Sequence, residues 1–208
     1  MEDEKIISIF QYFESLFGKM PKCELDYASD IDLLVAIILS AQCTDKRVNT
    51  VTRTLFQKYR TIGDYADANT SELEKEIYST GFYRNKSKNI IALCKILQKQ
   101  FQGKIPDEVC VLEKLPGIGR KTASVFVAEF YNKPAIAVDT HVIRVSNRLG
   151  FTTSKNPYII EKDLAGLWSP QNWGRYHLYM VLFGRYYCKA ISPKCEDCAI
   201  YTHCNKNK

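Results

Sequence analysis

The sequence has no apolar segment long enough to cross a membrane. Its most apolar stretch, residues 31–41, is far shorter than the roughly 20 residues that a spanning helix needs. The first ten residues, MEDEKIISIF, begin with acidic side chains and do not have the long apolar core of a signal peptide. We therefore expect a soluble protein with no membrane partner, located in the reducing cytoplasm.

The sequence also lacks internal repeats, low-complexity tracts and almost all strand signals. Only residues 135–138 look extended, and that segment is too short to imply a sheet. Elsewhere apolar residues recur at helical spacing, as between Ile90 and Phe101. The prediction is an all-α protein. Because Asn-Lys-Pro at 132–134 interrupts the helical pattern, it is a candidate junction between two domains.

Capping residues predict where several helices begin. Ser29 and the acidic residues after it precede the apolar segment 31–41, and Ser71 to Glu74 match a capping box. Asp139 precedes a helix that ends before Gly150. Asn156 is followed by a proline, which favours the first position of a helix.

Positive charge is in modest excess, with 29 Lys and Arg against 23 Asp and Glu, a net charge of +6. This excess would not by itself indicate a nucleic acid. Its placement is more informative, because residues 114–148 hold six basic residues and only two acidic ones. Such a stretch suits a polyanionic partner, although solvated helix faces would give the same composition.

The segment LPGIGRKT, residues 115–122, resembles a phosphate-binding turn, and three interpretations compete. A nucleotide P-loop fails because Arg120 separates Gly119 from Lys121. A dinucleotide fingerprint fails at Thr122, where it needs glycine, and no second strand–helix–strand unit follows. The remaining interpretation is a helix–turn–helix in which Gly117 and Gly119 permit positive φ. The amides of residues 117–121 would then bind one phosphate, although a plain turn between helices is the alternative.

The eight cysteines are unevenly distributed, and four of them lie close together near the C-terminus. Cys188, Cys195, Cys198 and Cys204 are spaced as C-x6-C-x2-C-x5-C. Thiolates at this density bind soft or borderline metals, and the spacing alone permits structural zinc. Ferredoxin spacings do not match. Cys23, Cys43, Cys94 and Cys110 are scattered, as buried apolar cysteines would be.

Taken together, these motifs resemble the endonuclease III family of DNA glycosylases, which have a helix-hairpin-helix and a Gly/Pro-Asp signature. The resemblance rests on LPGIGRKTA, on VDTH after it, and on LSAQCTD at residues 39–45, where Cys43 replaces the family's alanine. It covers essentially the whole chain. The cysteine spacing matches the family's [4Fe-4S] pattern, so the resemblance favours this cluster over zinc.

The resemblance implies two helical domains that flank a DNA-binding groove. A six-helix barrel domain would span 23–133, with the helix-hairpin-helix at about 108–127. A discontinuous iron–sulfur cluster domain would combine 1–22 with 134–208, and its cluster segment would be 188–204.

The resemblance also assigns the chemistry to two residues. Lys121 matches the family's catalytic lysine, which as a neutral amine attacks C1′ of the damaged nucleotide and forms a Schiff base. An ordinary lysine has a pKa near 10.4 and is a poor nucleophile, so without the family a surface lysine that binds phosphate would be expected. Asp139 matches the family's aspartate, which helps to activate the lysine. From the residues alone, helix capping is its expected role.

Further residues match the family's DNA contacts. Gln42 corresponds to a glutamine that fills the gap left by an extruded base, and Phe82 to an apolar wedge that is often leucine. The alternatives are a buried amide and a core aromatic residue. Lys189 and Lys194 flank the cluster loop and would contact phosphates, unless they are simply solvated. Gly117, Gly119 and Arg120 would contact the DNA backbone at the hairpin.

The predicted function is therefore base-excision repair. We expect a monomer that acts on double-stranded DNA containing oxidised pyrimidines or abasic sites in the nucleoid, and that cleaves 3′ to the abasic site by β-elimination. A monofunctional mismatch glycosylase is the first alternative; Lys121 argues against it, and residues 33–41 contain none of the carboxylates that adenine-removing relatives carry there. The second alternative is a non-enzymatic helix-hairpin-helix module with a structural zinc.

Overall fold

The computed structural model describes residues 4–205 as helices and loops. None of these residues belongs to a β-strand, which confirms the predicted all-α class. No helix among them has the length and apolarity of a membrane span. The α-helices are α1 (Glu4–Phe17), α2 (Asp30–Ser40), α3 (Asp45–Lys58), α4 (Ile62–Ala66), α5 (Thr70–Ile77), α6 (Tyr83–Phe101), α7 (Val109–Leu112), α8 (Arg120–Phe130), α9 (Thr140–Leu149), α10 (Pro157–Leu167) and α11 (Trp173–Tyr186). Short 3₁₀ segments lie at Tyr78–Thr80, Pro170–Asn172 and Tyr201–His203.

The chain separates into two compact units. The continuous unit, Cys23–Tyr131, contains α2 to α8. The discontinuous unit combines Met1–Lys22 with Asn132–Lys208 and contains α1 and α9 to α11. The assignment of these parts to a six-helix barrel domain and a cluster domain stays a prediction. Residues 1–3 and 206–208, which that prediction includes, lie outside the described residues.

The continuous unit is built around α2, in which every residue from Ile31 to Leu39 is buried. A capping box fixes its start. The Ser29 hydroxyl accepts the Asp32 N–H at 3.2 Å, and the Asp32 carboxylate accepts the Ser29 N–H at 3.1 Å. Because α2 is buried on every side, its position in the core is fixed. The loop that follows its last residue, Ser40, therefore starts from a fixed point.

The discontinuous unit has an aromatic core formed by α1, α9, α10 and α11. Phe10 of α1 stacks on Tyr176 of α11, with ring centroids 3.6 Å apart and planes inclined by 5°. The hydroxyl of Tyr179 donates to the carbonyl of Gly18 at 2.6 Å. Stacked aromatic rings contribute about 0.5–1.5 kcal/mol beyond the area that they bury. These contacts hold the N-terminal helix against the last helix of the chain.

Most predicted helix starts are confirmed, but one is wrong. Ser29, Asp139 and Asn156 cap α2, α9 and α10. The box predicted at Ser71 does not cap α5. The side chain of Asn69 accepts the N–H groups of residues 71 and 72, and the Ser71 hydroxyl donates to it at 2.7 Å. Since asparagine already satisfies two of the free amides, the helix begins two residues earlier than Ser71 would place it.

Candidate active site

The segment from α7 to α8 is a helical hairpin with a tight turn. Gly117 in this turn has φ +76°, and an added Cβ would lie 2.8 Å from the Cβ of Asn89 on α6. An L-residue would therefore be strained in its backbone and would collide with its neighbour. The hairpin predicted from the glycine spacing is present, and Gly117 lets it pack directly against α6.

Gly119 serves a different purpose from Gly117. Its φ is −94°, so of the two glycines that would permit positive φ only Gly117 adopts it. No side chain caps α8 at Gly119, and a Cβ added there would meet no atom within 4 Å. The first amides of an α-helix have no acceptor within the helix. The N-terminus of α8 is therefore open at this point, as a bound phosphate would require.

Arg120 and Lys121 are the first two residues of α8, and both are exposed. Arg120 Nη1 lies 3.3 Å from Glu113 Oε2, so this ion pair joins the two arms of the hairpin. The Lys121 ammonium lies close enough to Asp45, the first residue of α3, to influence its charge. Burial raises the pKa of the Asp45 carboxyl, and the positive charge of Lys121 acts in the opposite direction.

Two loops of the continuous unit hold side chains in left-handed backbone conformations. Gln42, after α2, has φ +54°, and Phe82, before α6, has φ +47°. Both are exposed, and the Phe82 side chain is 61% accessible. A non-glycine residue in this region costs about 1–3 kcal/mol and persists only where its surroundings fix it. The structure therefore excludes the buried amide and the core aromatic as explanations for these two residues.

Asp139 is half-buried at the start of α9, in the discontinuous unit. One of its carboxylate oxygens accepts the N–H groups of His141 at 2.8 Å and Val142 at 2.9 Å. The capping role expected from the sequence is confirmed. The cap leaves the second oxygen, Oδ2, for other partners, since both of these hydrogen bonds end on Oδ1.

The four C-terminal cysteines line one pocket in the discontinuous unit. Its wall includes Phe183, Tyr187 and Ile200, and apart from Arg148 and Lys194 it is largely apolar or aromatic. Burial raises the pKa of Cys198, a hydrogen bond from the Ile200 backbone lowers it, and the nearby thiolates of the other three cysteines raise it. The sulfur of Cys198 is thus near enough to those of the other three cysteines for their negative charge to act on it. Among residues 4–205, no three His, Cys, Asp or Glu side chains converge on a position for a single ion.

Two arginines of α9 fix the backbone from which the first cysteine projects. Arg144 donates from Nε to the carbonyl of Cys188 at 2.9 Å and from Nη2 to the carbonyl of Gly184 at 2.6 Å. Arg148 donates from Nη1 to the Cys188 sulfur at 3.1 Å and to the Lys189 carbonyl at 2.8 Å. In the sequence these arginines are visible only as part of the positive charge of residues 114–148. Their hydrogen bonds show that they position the cysteine segment.

The loop between Cys188 and Cys195 presents Lys189 and Lys194, which are both exposed. The Lys194 ammonium lies 5.1 Å from the centroid of the Tyr187 ring, and its backbone N–H donates to the Tyr187 carbonyl at 3.1 Å. Ile191, between them, is 85% exposed. The two lysines therefore project from a loop whose ends are anchored by α9 and by the cysteine pocket.

Comparison with known proteins identifies the family. Residues 35–170 match the HhH-GPD superfamily base excision DNA repair protein family. Endonuclease III of Bacillus subtilis (strain 168) is 46% identical over 188 residues, which cover 90% of this chain and 86% of the relative. This chain belongs to the endonuclease III family. The predicted family resemblance is confirmed.

Solved structures of the endonuclease III family agree with this membership. The chain matches a non-covalent endonuclease III–DNA complex with TM-score 0.92 and 44% identity, covering 98% of this chain and 95% of the other. A trapped covalent endonuclease III–DNA intermediate, in an estranged-adenine complex, matches with the same TM-score and identity, over 99% and 97% of the two chains. Lys121 and Asp139 lie inside the segment matched by the family, whereas the four clustered cysteines follow it.

Asp45 was not predicted as a site residue from the sequence. It ends the LSAQCTD segment that supports the endonuclease III resemblance, and it begins α3. An acidic residue in the first turn of a helix is expected for electrostatic reasons alone, so its position in the sequence indicated no further interaction. Its interaction with Lys121 depends on the packing of both α3 and α8 against α2, which a sequence pattern does not contain.

Proposed function

We propose that this chain is a DNA glycosylase and abasic-site lyase of base-excision repair, acting on oxidised pyrimidines in duplex DNA. One observation carries the proposal. The chain belongs to the endonuclease III family, and its Lys121 is an exposed primary amine at the uncovered N-terminus of α8. A phosphate bound by that helix end would place a nucleotide beside the amine. A covalent endonuclease III–DNA intermediate among the matched structures supports a nucleophilic mechanism.

In this mechanism Lys121 acts as the nucleophile. Its neutral amine forms a bond to C1′ of the damaged nucleotide, while the bond from C1′ to the base breaks and the departing base takes the electron pair and a proton. Opening of the sugar ring at C1′ gives a Schiff base. Loss of a C2′ proton then expels the 3′ phosphate, and water releases the amine. Splitting base removal into these steps is the advantage of covalent catalysis.

Two carboxylates have proposed roles in this reaction. Asp45 lies near Lys121 within the continuous unit, and its charge would stabilise the ammonium before the proton is lost. Asp139 is proposed as the second catalytic residue. Its Oδ1 is occupied by two backbone amides, so its Oδ2 would supply the negative charge that stabilises a cationic sugar.

The damaged base must leave the helical stack before the amine can reach C1′. We propose that Gln42 fills the resulting gap and that Phe82 inserts as a wedge. Both project from strained loops into solvent, as such contacts require. An aromatic ring stacked on a base contributes about 1–3 kcal/mol, which offsets part of the unstacking energy.

The cysteine pocket is proposed to hold a [4Fe-4S] cluster. Structural zinc, the alternative, would need all of its sulfur ligands about 2.3 Å from one ion. A cluster binds each cysteine to a different iron, so sulfurs spread around one apolar pocket fit it. Cys188, Cys195, Cys198 and Cys204 would be its ligands. The cluster would neutralise the repulsion among the thiolates and fix the loop that carries Lys189 and Lys194.

The contribution of that loop to DNA binding can be measured through its salt dependence. Replacing Lys189 and Lys194 together by alanine should weaken duplex binding and reduce the slope of log K against log salt by up to about 2, one for each lost phosphate contact. Titrations from low to high salt with undamaged duplex would give the slope. Lys46 and Lys75, exposed on the continuous unit, provide a double-alanine control of equal charge. An unchanged slope for the loop variant would show that both lysines are merely solvated.

The proposed function is tested with duplexes that contain one thymine glycol or one abasic site. The wild-type protein should release the modified base, cut 3′ to the abasic site and, with borohydride present, become covalently attached to both substrates. Undamaged duplex of the same sequence should give none of these products. Base release without strand cleavage or adduct would favour a monofunctional glycosylase. Binding without either reaction would favour a non-enzymatic module.

A further inference from the structure

Lys86 is a buried cation that the proposed mechanism does not use. It lies in the first turn of α6, and its side chain is only 5% exposed. Its ammonium donates to the carbonyl of Leu39 at 2.8 Å and to the carbonyl of Thr80 at 2.9 Å. Within the described part of the chain, no carboxylate forms an ion pair with it. Charged side chains are rarely buried without such a partner.

The two acceptors belong to the segments that carry Gln42 and Phe82. Leu39 is in the last turn of α2, three residues before Gln42, and Thr80 ends a 3₁₀ segment two residues before Phe82. The last carbonyls of a helix have no N–H donor within the helix. They can therefore accept a hydrogen bond from a group outside it. In addition, the backbone N–H of Lys86 donates to the Phe82 carbonyl at 3.0 Å. One residue therefore holds both loops, one of them at two points.

We propose that Lys86 is a positioning residue that ties the Gln42 loop to the Phe82 loop. The side chains of Gln42 and Phe82 are thereby held in a fixed arrangement relative to each other when they contact the duplex. This proposal rests on the proposed roles of Gln42 and Phe82 in DNA binding. Both residues have left-handed backbone conformations, which require surroundings that fix them. A shared anchor provides this support, since neither loop can relax without breaking a hydrogen bond to the same ammonium.

The chemistry of lysine suits this task better than an apolar side chain would. An ammonium has three donors and can serve carbonyls from two segments at once. Methionine would fill the same space but would leave two buried carbonyls without a donor. Burial lowers the pKa of Lys86, with the neighbouring Cys43 acting in the opposite direction, so the site pays a desolvation penalty to keep these contacts. A core position that served packing alone would not need a buried ammonium.

The tie can be tested without DNA by amide hydrogen exchange. In Lys86→Met, peptides that cover residues 39–44 and 78–84 should both exchange at least about tenfold faster, because each has lost a hydrogen bond to the same group. Leu97→Ala is the matched control. Leu97 is fully buried in the same helix, about 16 Å farther along it, so this variant destabilises α6 without touching either loop. Faster exchange in only one loop, or in neither, would overturn the tie.

The consequence for DNA is tested with the same variants. Lys86→Met should bind a thymine glycol duplex about tenfold or more weakly, yet trap on a single-stranded abasic oligonucleotide within about threefold of wild type, because a single strand has no stack to open. Leu97→Ala should change both readouts to a similar extent. Phe82→Ala separates the two proposals: if it weakens duplex binding and Lys86→Met does not, the positioning role fails. If neither weakens it, the proposed wedge fails, and with it the role of Lys86 on DNA.

A less disruptive variant covers the case in which Lys86→Met does not fold. Lys86→Gln keeps one donor group on a shorter side chain, which can reach at most one of the two carbonyls. It should speed exchange in one loop and weaken duplex binding by a smaller factor than the methionine variant. Wild-type exchange in both loops together with wild-type duplex binding would overturn the proposal.

Discussion

Replacing Lys121 by alanine should abolish the borohydride-trapped adduct with abasic DNA and lower strand cleavage by about 10³-fold or more, the scale expected when a nucleophile is removed. The reason is that no other group forms the covalent bond to C1′ in the proposed mechanism. The adduct is measured as a protein band of increased mass in a denaturing gel, and cleavage as product per time under single-turnover conditions. Because Lys121 is exposed, the variant should unfold at nearly the wild-type temperature.

Two controls separate the loss of a nucleophile from the loss of a positive charge. Lys121→Arg keeps the charge at the start of α8 but has no amine that can form a Schiff base, so it should also fail to trap. Lys114→Ala removes an exposed charge from the same hairpin and should reduce duplex binding modestly while it leaves the adduct intact. An adduct of wild-type yield in Lys121→Ala would show that another amine is the nucleophile.

Replacing Asp139 by asparagine should separate its structural role from its chemical one. Asparagine caps helices as well as aspartate does, so the hydrogen bonds to His141 and Val142 are kept and the thermal midpoint should stay close to that of wild type. The carboxylate charge is lost, however. Base release should fall by about 10²–10⁴-fold, the usual contribution of a positioned catalytic side chain. Single-turnover release of thymine glycol from a duplex measures this effect.

Asp139→Ala serves as the comparison for stability. It removes the cap as well as the charge and should lower the free energy of unfolding by about 0.5–2 kcal/mol, measured by urea denaturation. Activity in the asparagine variant close to that of wild type would reduce Asp139 to a helix cap. Equal losses of stability in both variants would mean that the charge itself stabilises the start of α9.

The extent to which the sequence determined these results differs between elements. The helix starts at Ser29, Asp139 and Asn156 were predictable because each cap forms between residues two or three positions apart. The hairpin was predictable because Gly117 and the proline before it act locally. Asn69 was missed as a cap because Asn69 and Ser71 are both capping residues and lie two positions apart. In the structure the amide oxygen of Asn69 accepts the free N–H groups, and the Ser71 hydroxyl does not.

The residues that sequence reasoning missed are those whose partners are distant along the chain. Lys86 reaches Leu39 across 47 positions, and Arg148 reaches Cys188 across 40. Neither interaction has a periodicity or a spacing that a single sequence reveals. The same limit applies to Gln42 and Phe82: their motifs predicted a DNA contact, but the left-handed backbone at both positions depends on how the loops are held.

The discontinuous unit has a consequence for synthesis on the ribosome. The first helix of this unit is made before residues 23–131, whereas Tyr176, on which Phe10 stacks, is made after them. Residues 23–131 can therefore complete their own core before this contact forms. Until α9, α10 and α11 have been made, the apolar face of α1, with Ile6, Ile9 and Phe13, lacks its full set of partners from its own unit and is a target for chaperones that bind nascent chains. The four clustered cysteines follow α11 in the chain, so the proposed cluster could be bound only after that helix has been made.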